Sequence, residues 1–245
     1  APLAYLRMKV TISNSFRILY VTDRFLQSRY PSPPIAKTVN ASNVDLAEYN
    51  RDVLKQRLAK PAKEIIVFGM IGNFKTTYKG VHTAIEALSQ IKDKYKFVFK
   101  VLGKGDTLKY INLAKDFDID DYVFFCGSLP NGRPVLNWLD QLDIYLQPSL
   151  AEGLPRALIE AMSRGLPCVA SKTGGIPELL EPRFLHNPGN AKDLKNKILY
   201  ILSLNLSEIS KENFDRVKQY NSNSLNKKRF VFFEDLKNAA IRNLQ

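Results

Sequence analysis

Five short runs rich in β-branched and aromatic residues, EIIVFG, KFVFKVLG, YVFFCG, DIYLQP and PCVAS, alternate along the chain with amphipathic stretches, VHTAIEALSQIKD, TLKYINLAKDF, PVLNWLDQL and PRALIEAMSR. A strand separated from the next by a helix cannot pair with it as a hairpin. It joins it through a right-handed crossover, and the product is a parallel sheet covered by helices on both faces. The expected fold class is therefore α/β. Sheets of this kind bind ligands outside the carboxyl ends of their strands. The segments that fall there are FGMIGNFKTTYKG, LGKG, GSLP, QPS and TGG, one after each strand in turn.

The densest stretch runs from Glu152 to Leu179, EGLPRALIEAMSRGLPCVASKTGGIPEL, with seven residues between Glu152 and Glu160. Pro155 suits the first turn of a helix, where its missing N–H would have no partner and its ring fixes a helical φ. Glu152 then lies on the preceding loop and Glu160 about a turn and a half into the helix. Backbone N–H groups at a helix start, approached closely because Gly153 carries no side chain, can meet a hydroxyl or a phosphate. Two carboxylates can accept from vicinal sugar hydroxyls. Arg156 is a cation in a first turn, where the helix dipole disfavours it, and an anionic ligand would explain it. The plainer reading is that Glu160 pairs with Arg164 one turn on and that Glu152 merely answers the dipole. Both glutamates together, at the end of such a sheet, favour a nucleotide-activated sugar.

The remaining composition narrows the alternatives. The chain has 245 residues and 45% hydrophobic content, enough for one large core or two smaller ones. No apolar run reaches a membrane span, and the first residues lack a signal pattern, so a cytoplasmic setting is expected. Cys126 and Cys168 sit in apolar strand contexts, where a buried small hydrophobe is expected. His82 and His186 have no ligand-spaced partners, so no metal is expected. His82 reads either as a surface residue at a helix start or as part of a diphosphate turn. The formal charge is +12, with net +6 in residues 1–60, +1 in 61–190 and +5 in 191–245. The aromatic-and-basic motifs of RNA readers and the helix-turn-helix or finger patterns of DNA readers are missing, so nucleic acid is not the expected partner. Basic ends suit an anionic membrane surface or a lipid diphosphate, and equally a solvated surface.

EGLPRALIE, followed by AMSRGLPCVAS and GGIPE, resembles the retaining glycosyltransferases of family 4. The likeness runs from about Ile65 to Leu204 and includes the YKG turn, VLGKGD, VFFCGSLP and DIYLQPS in the family's order. It implies one Rossmann-like half of a B-type glycosyltransferase, the donor-binding half, with C-terminal helices. Glu152 and Lys79 become the catalytic pair, Glu152 toward the transferred sugar and Lys79 toward the diphosphate. Glu160 becomes the ribose acceptor. Gly153 and Leu154 offer backbone N–H groups, Gly72, Arg156 and Gly174 line the donor, and the base lies along Gly127 to Pro130. The family pairs its lysine with an arginine after the first strand, but GMIGNFK has none. Lys75 stands nearest as a substitute, without the bidentate fork of a guanidinium. The donor would be a UDP- or GDP-sugar, with no metal, and the acceptor a glycan or a lipid-linked sugar. A non-catalytic module and a nucleotide-sugar epimerase of the same architecture remain alternatives.

The same resemblance divides the chain into 1–60, the end of an acceptor domain and a linker; 61–205, the sugar-nucleotide domain; and 206–245, helices returning toward the first domain. Residues 1–60 read as strand, helix and strand in ILYVT, DRFLQSRY and AKTVNAS, with the breaker PSPP between. On this reading the chain is an excised piece that binds donor without turning it over.

Overall fold

The computed structural model describes residues 2–44, 46, 49–61 and 63–242. The chain divides into two compact units, residues 1–48 with 219–245, and residues 49–218. The first begins with helix α1 (Pro2–Ser13), strand β1 (Arg17–Tyr20), helix α2 (Phe25–Arg29) and strand β2 (Lys37–Asn40). The two strands pair in parallel, Arg17 opposite Lys37 through Tyr20 opposite Asn40. The Tyr20 hydroxyl donates to the Tyr30 carbonyl at 2.6 Å and ties the crossover down. The strand, helix and strand expected of this segment are present, while α1 was not anticipated. Its sequence, PLAYLRMKVTIS, spreads apolar residues round the helix, and Leu3, Leu6, Met8 and Val10 are exposed.

The second unit carries α3 (Arg51–Leu58), β3 (Ile66–Asn73), α4 (Val81–Ser89), β4 (Phe97–Lys104), α5 (Leu108–Asp116), β5 (Val123–Phe125), α6 (Arg133–Leu139), β6 (Ile144–Gln147), α7 (Arg156–Ser163), β7 (Cys168–Ser171), β8 (Leu185–His186), α8 (Ala191–Leu202) and α9 (Leu206–Arg216). Six strands form one parallel sheet in the order β5-β4-β3-β6-β7-β8. Strands β4 and β5 are added to one side of β3 and β6 to β8 to the other, so the order reverses between β3 and β6. A crevice opens at such a switch point, beyond the carboxyl ends of the strands.

Apolar residues at alternate positions explain the layers. Phe68 and Met70 of β3, Phe99 and Val101 of β4, Ile144 and Leu146 of β6 and Val169 of β7 point into one core. Ala84, Ile85 and Leu88 of α4 and Leu194, Ile198 and Ile201 of α8 cover it. On the opposite face Gly69 opposes Tyr145, and Tyr145 opposes Cys168. A Cβ on Gly69 would lie 2.4 Å from a Leu142 methyl, so the chain between α6 and β6 packs directly on bare backbone. Asn50, Asn190 and Asn205 cap α3, α8 and α9 by accepting from backbone N–H groups of the first turn.

Helix α10 (Ser222–Arg242) returns to the first unit. Its Asp235 pairs with Arg17 of β1 and, at 3.2 Å, with Lys37 of β2, while Arg229 donates to the Ser42 carbonyl. The compact unit 49–218 is wider than the expected 61–205, because α3 and α9 both pack into it. Arg57 of α3 donates to the carbonyls of Arg164 at 2.5 Å and Leu142 at 2.9 Å. Asn213 of α9 donates to the Leu166 carbonyl at 2.8 Å, and Tyr49 stacks on Phe214 at 4.4 Å. The expected block 206–245 is thus divided, with α9 in one unit and α10 in the other.

Two local expectations are corrected. Cys126 is exposed, one residue past the end of the short strand β5, whereas Cys168 is buried as expected. Pro155 is the capping residue of α7, with an extended ψ of 112°, and the first helical residue is Arg156. Among the described residues no helix is long and apolar enough to cross a membrane.

Candidate functional site

The loops after β3, β6 and β7 converge at the switch point. Gly80, which ends the β3 loop, adopts φ +73°, and a Cβ there would lie 2.0 Å from the Pro148 carbonyl oxygen. Only glycine allows this turn and this approach together. Leu150 N–H donates to the Tyr78 carbonyl at 2.6 Å and fastens the two loops. Gly174 stands likewise at φ +58°, where a Cβ would fall 2.0 Å from the Glu152 carbonyl oxygen, and Gly175 N–H donates to the Gly153 carbonyl at 2.6 Å. The segment carrying Glu152 is held by backbone from both neighbours.

Within this frame the Lys79 ammonium meets Glu152 Oε1 at 2.7 Å, and both side chains are largely shielded. The same oxygen accepts from Ser149 Oγ at 2.8 Å and Gln147 Nε2 at 3.1 Å. Glu152 therefore does more than answer a helix dipole, since it takes three donors on one oxygen. Glu160, on α7, is different. Among the described residues no hydrogen bond reaches its carboxylate. Burial raises its pKa above the usual carboxylate value, and the Arg156 charge only partly opposes that. Its supposed partner Arg164 is buried and forms two bonds with Asp140, at 2.8 and 2.6 Å, so the Glu160–Arg164 pair does not form.

The remaining expected positions lie along the same edge. Gly153 is exposed, with open space where a Cβ would project, while Leu154 buries its side chain. Arg156 is exposed at the first position of α7. Gly72, next to last in β3, pairs with Gly103 of β4, whose missing Cβ would lie 2.3 Å from the Gly72 carbonyl oxygen. Gly103 N–H in turn donates to the Gly127 carbonyl at 2.6 Å, which links the β5 loop to the other two. Gly127 has φ +68°, and Pro130 is exposed three residues on. The Lys75 side chain is exposed and forms no ion pair among the described residues, so it does not join the Lys79–Glu152 cluster. His82 is partly buried at the start of α4, and burial lowers its pKa. His186 is buried in β8, with Nδ1 against the Asn187 carbonyl at 2.8 Å. Among the described residues no group of His, Cys, Asp and Glu is arranged to hold a metal ion.

The sequence reading placed the QPS loop at this edge without a role for Gln147 or Ser149, and it passed over Tyr145 and Ser171. All four are buried, and Ser171 Oγ donates to the Ser149 carbonyl at 2.5 Å. The signal available was the polar residue at every second position of DIYLQPS. A cavity of about 580 Å³ lies elsewhere, at the amino ends of β3 and β6. The cations that line it are already engaged, Arg57 with carbonyls, Lys60 with the Asp140 carbonyl and Lys63 with Asp143, so it offers no free charge to a ligand.

Residues 65–204, more than half the chain, match the family described as glycosyl transferases group 1. The chain belongs to this family. Protein CapJ of Staphylococcus aureus is 30% identical over 200 residues, which cover 80% of this chain and 49% of CapJ. The amylovoran biosynthesis glycosyltransferase AmsK of Erwinia amylovora is 40% identical over 114 residues, 43% of this chain and 28% of that protein. The chain spans about half the length, or less, of these curated relatives. Among solved structures, Anabaena HepE in complex with UDP-glucose superposes with a TM-score of 0.76 at 20% identity, covering 97% of this chain and 70% of HepE. That likeness is one of fold: the group 1 glycosyltransferase sheet with its helices on both faces.

Proposed function

We propose that this chain contains the donor-binding part of a retaining glycosyltransferase of family 4, which moves a hexosyl-type sugar from a UDP- or GDP-sugar to a glycan or lipid-linked acceptor in polysaccharide or glycolipid synthesis. The observation that carries the reading is the pairing of Lys79 with Glu152 at the switch point, beside a helix that presents an unpartnered Glu160. A cation, an acceptor and a second acceptor on the helix that follows are what a diphosphate, a hexose and a ribose require. AmsK, a relative in polysaccharide synthesis, and HepE, crystallised with UDP-glucose, support the same assignment.

In this reading Lys79 and the N–H groups at the start of α7 balance the charge that develops on the departing diphosphate. Glu152 accepts from hydroxyls of the transferred sugar and Glu160 from the ribose, with Gly153, Leu154, Arg156 and Gly174 around them and the base along Gly127 to Pro130. The acceptor hydroxyl attacks from the face the leaving group departs from, which retains the configuration. Positioning supplies most of the rate, and no metal is invoked. Basic segments at both ends of the chain suit peripheral contact with the anionic inner face of a membrane, where a lipid-linked acceptor would be presented.

Calorimetric titration with UDP, GDP, uridine and guanosine tests the site. Lys79→Ala is expected to weaken binding of the preferred diphosphate by about 1.5 to 3 kcal/mol, the range for a hydrogen bond involving a charge, and to leave its nucleoside nearly unaffected. Equal losses for both would show that Lys79 shapes the loop and holds no phosphate.

A further inference from the structure

A central strand of a parallel sheet is covered on both faces and is ordinarily apolar throughout. Strand β6 departs from this. Ile144 and Leu146 enter the main core, but Tyr145, Gln147 and, just past the strand, Ser149 follow one another at two-residue intervals with 0%, 1% and 0% exposure. Buried polar groups in such a row need partners, and these find them in one direction.

Ile71 N–H donates to the Tyr145 hydroxyl at 3.3 Å, so the hydroxyl proton is free to go to Gln147 Oε1 at 2.9 Å. That bond fixes the orientation of the amide, because its oxygen is held by Tyr145 and its Nε2 must face the other way. Nε2 then donates both protons, one to Ser149 Oγ at 2.8 Å and one to Glu152 Oε1 at 3.1 Å. Ser149 Oγ, having accepted, passes its own proton to Glu152 Oε1 at 2.8 Å. Every donor in the row points toward Glu152, and Lys79 completes the set on the same oxygen. Oε2 accepts no hydrogen bond among the described residues.

We propose that Tyr145, Gln147 and Ser149 are positioning residues that lock the Glu152 carboxylate, saturating Oε1 so that Oε2 is presented at a fixed angle to a hydroxyl of the transferred sugar. The inference rests on the donor-binding reading of Glu152. A rigid acceptor selects among sugars by the direction of one hydroxyl; a carboxylate free to rotate would accept from several.

The test titrates the whole chain with UDP, UDP-glucose, GDP and GDP-mannose and reads the gain in affinity of a nucleotide sugar over its bare diphosphate. Gln147→Met, Tyr145→Phe and Ser149→Ala are each expected to cut that gain about tenfold, close to 1.4 kcal/mol, while the diphosphate affinity stays within about twofold. Ser149→Thr, which keeps the hydroxyl, is expected to retain the gain. Parallel losses for sugar and diphosphate that track the melting temperature would overturn the proposal, since the row would then only support the fold. Glu152→Gln separates the two ideas. If it abolishes the gain while the three variants keep it, the positioning role fails alone; if it keeps the gain, the sugar role of Glu152 fails and the proposal with it. A ligand-independent check is the Gln147 side-chain amide in ¹⁵N NMR spectra. Slow exchange with water, broken by Glu152→Gln, supports the row, and exchange at the rate of a free amide overturns it.

Discussion

Glu160 is an acid in poor solvent, with only Arg156 among the described residues to answer its charge, and its pKa stands above the usual 4.5. A group shifted this way lends stability that is fully present below its unfolded pKa and is lost as pH rises through the raised native value. Glu160→Gln keeps the shape and removes the charge that burial disfavours. The variant is expected to match the natural chain in melting temperature near about pH 4, where Glu160 is protonated, and to exceed it at about pH 7. Thermal unfolding across that interval checks this, and a variant less stable at neutral pH would reveal a stabilising partner for the carboxylate. Under the donor-binding proposal, a carboxylate that costs stability in exchange for accepting from ribose hydroxyls is typical of functional positions. Much of the site was legible residue by residue, because glycine, proline and paired glutamates carry their conformational and chemical preferences locally. Lys79 and Glu152 were each read as ligand partners, but their contact with one another spans 73 residues and depends on strand order. Tyr145 passed as part of an apolar strand and Gln147 only as the start of the QPS loop, since a polar residue in such a run shows its purpose only once the register is known.

At the scale of elements, β3 to β7, the helices α4 to α7 between them and the last two helices were visible from periodicity and turn signals, whereas α3 and α8 went unread. The two-residue β8 was not visible, being too short for any pattern, and neither was α1, whose apolar residues face no single side. What joins the elements below the sheet is a cluster of buried cations. Arg57 reaches the carbonyls of Arg164 and Leu142, and Arg164, 4% exposed, forks onto Asp140. Asp140→Asn would leave the Arg164 guanidinium buried without its counter-charge. Complete burial of both partners would make that loss about 3 to 5 kcal/mol, and about 2 kcal/mol is expected here because Asp140 retains access to water. Denaturant unfolding measures it. An unchanged midpoint would mean that the Asp140 charge contributes nothing to holding Arg164 in place.

For the whole molecule, the boundary between the compact units makes a prediction about pieces. A chain of residues 49–218 keeps Tyr49 stacked on Phe214 and Asn213 bonded to Leu166, whereas a chain of 61–205 discards α3 and α9 and uncovers what they bury. The longer piece is expected to unfold cooperatively and the shorter to be less stable by several kcal/mol, at about 1.5 to 3 kcal/mol for each large buried side chain lost. Equal melting temperatures would show that the outer helices are ornaments. The formal charge of +12 raises a different question, because a field of that sign draws every phosphate in solution toward the surface. At the candidate site the Lys79–Glu152 contact blunts it. Under the donor-binding proposal, Lys79 carries its own tethered counter-ion in Glu152, so a stray orthophosphate that took the lysine would strand the carboxylate. A nucleotide sugar would bring hydroxyls along with its phosphates and give both halves of the pair a new companion, so this one contact would also act as a filter.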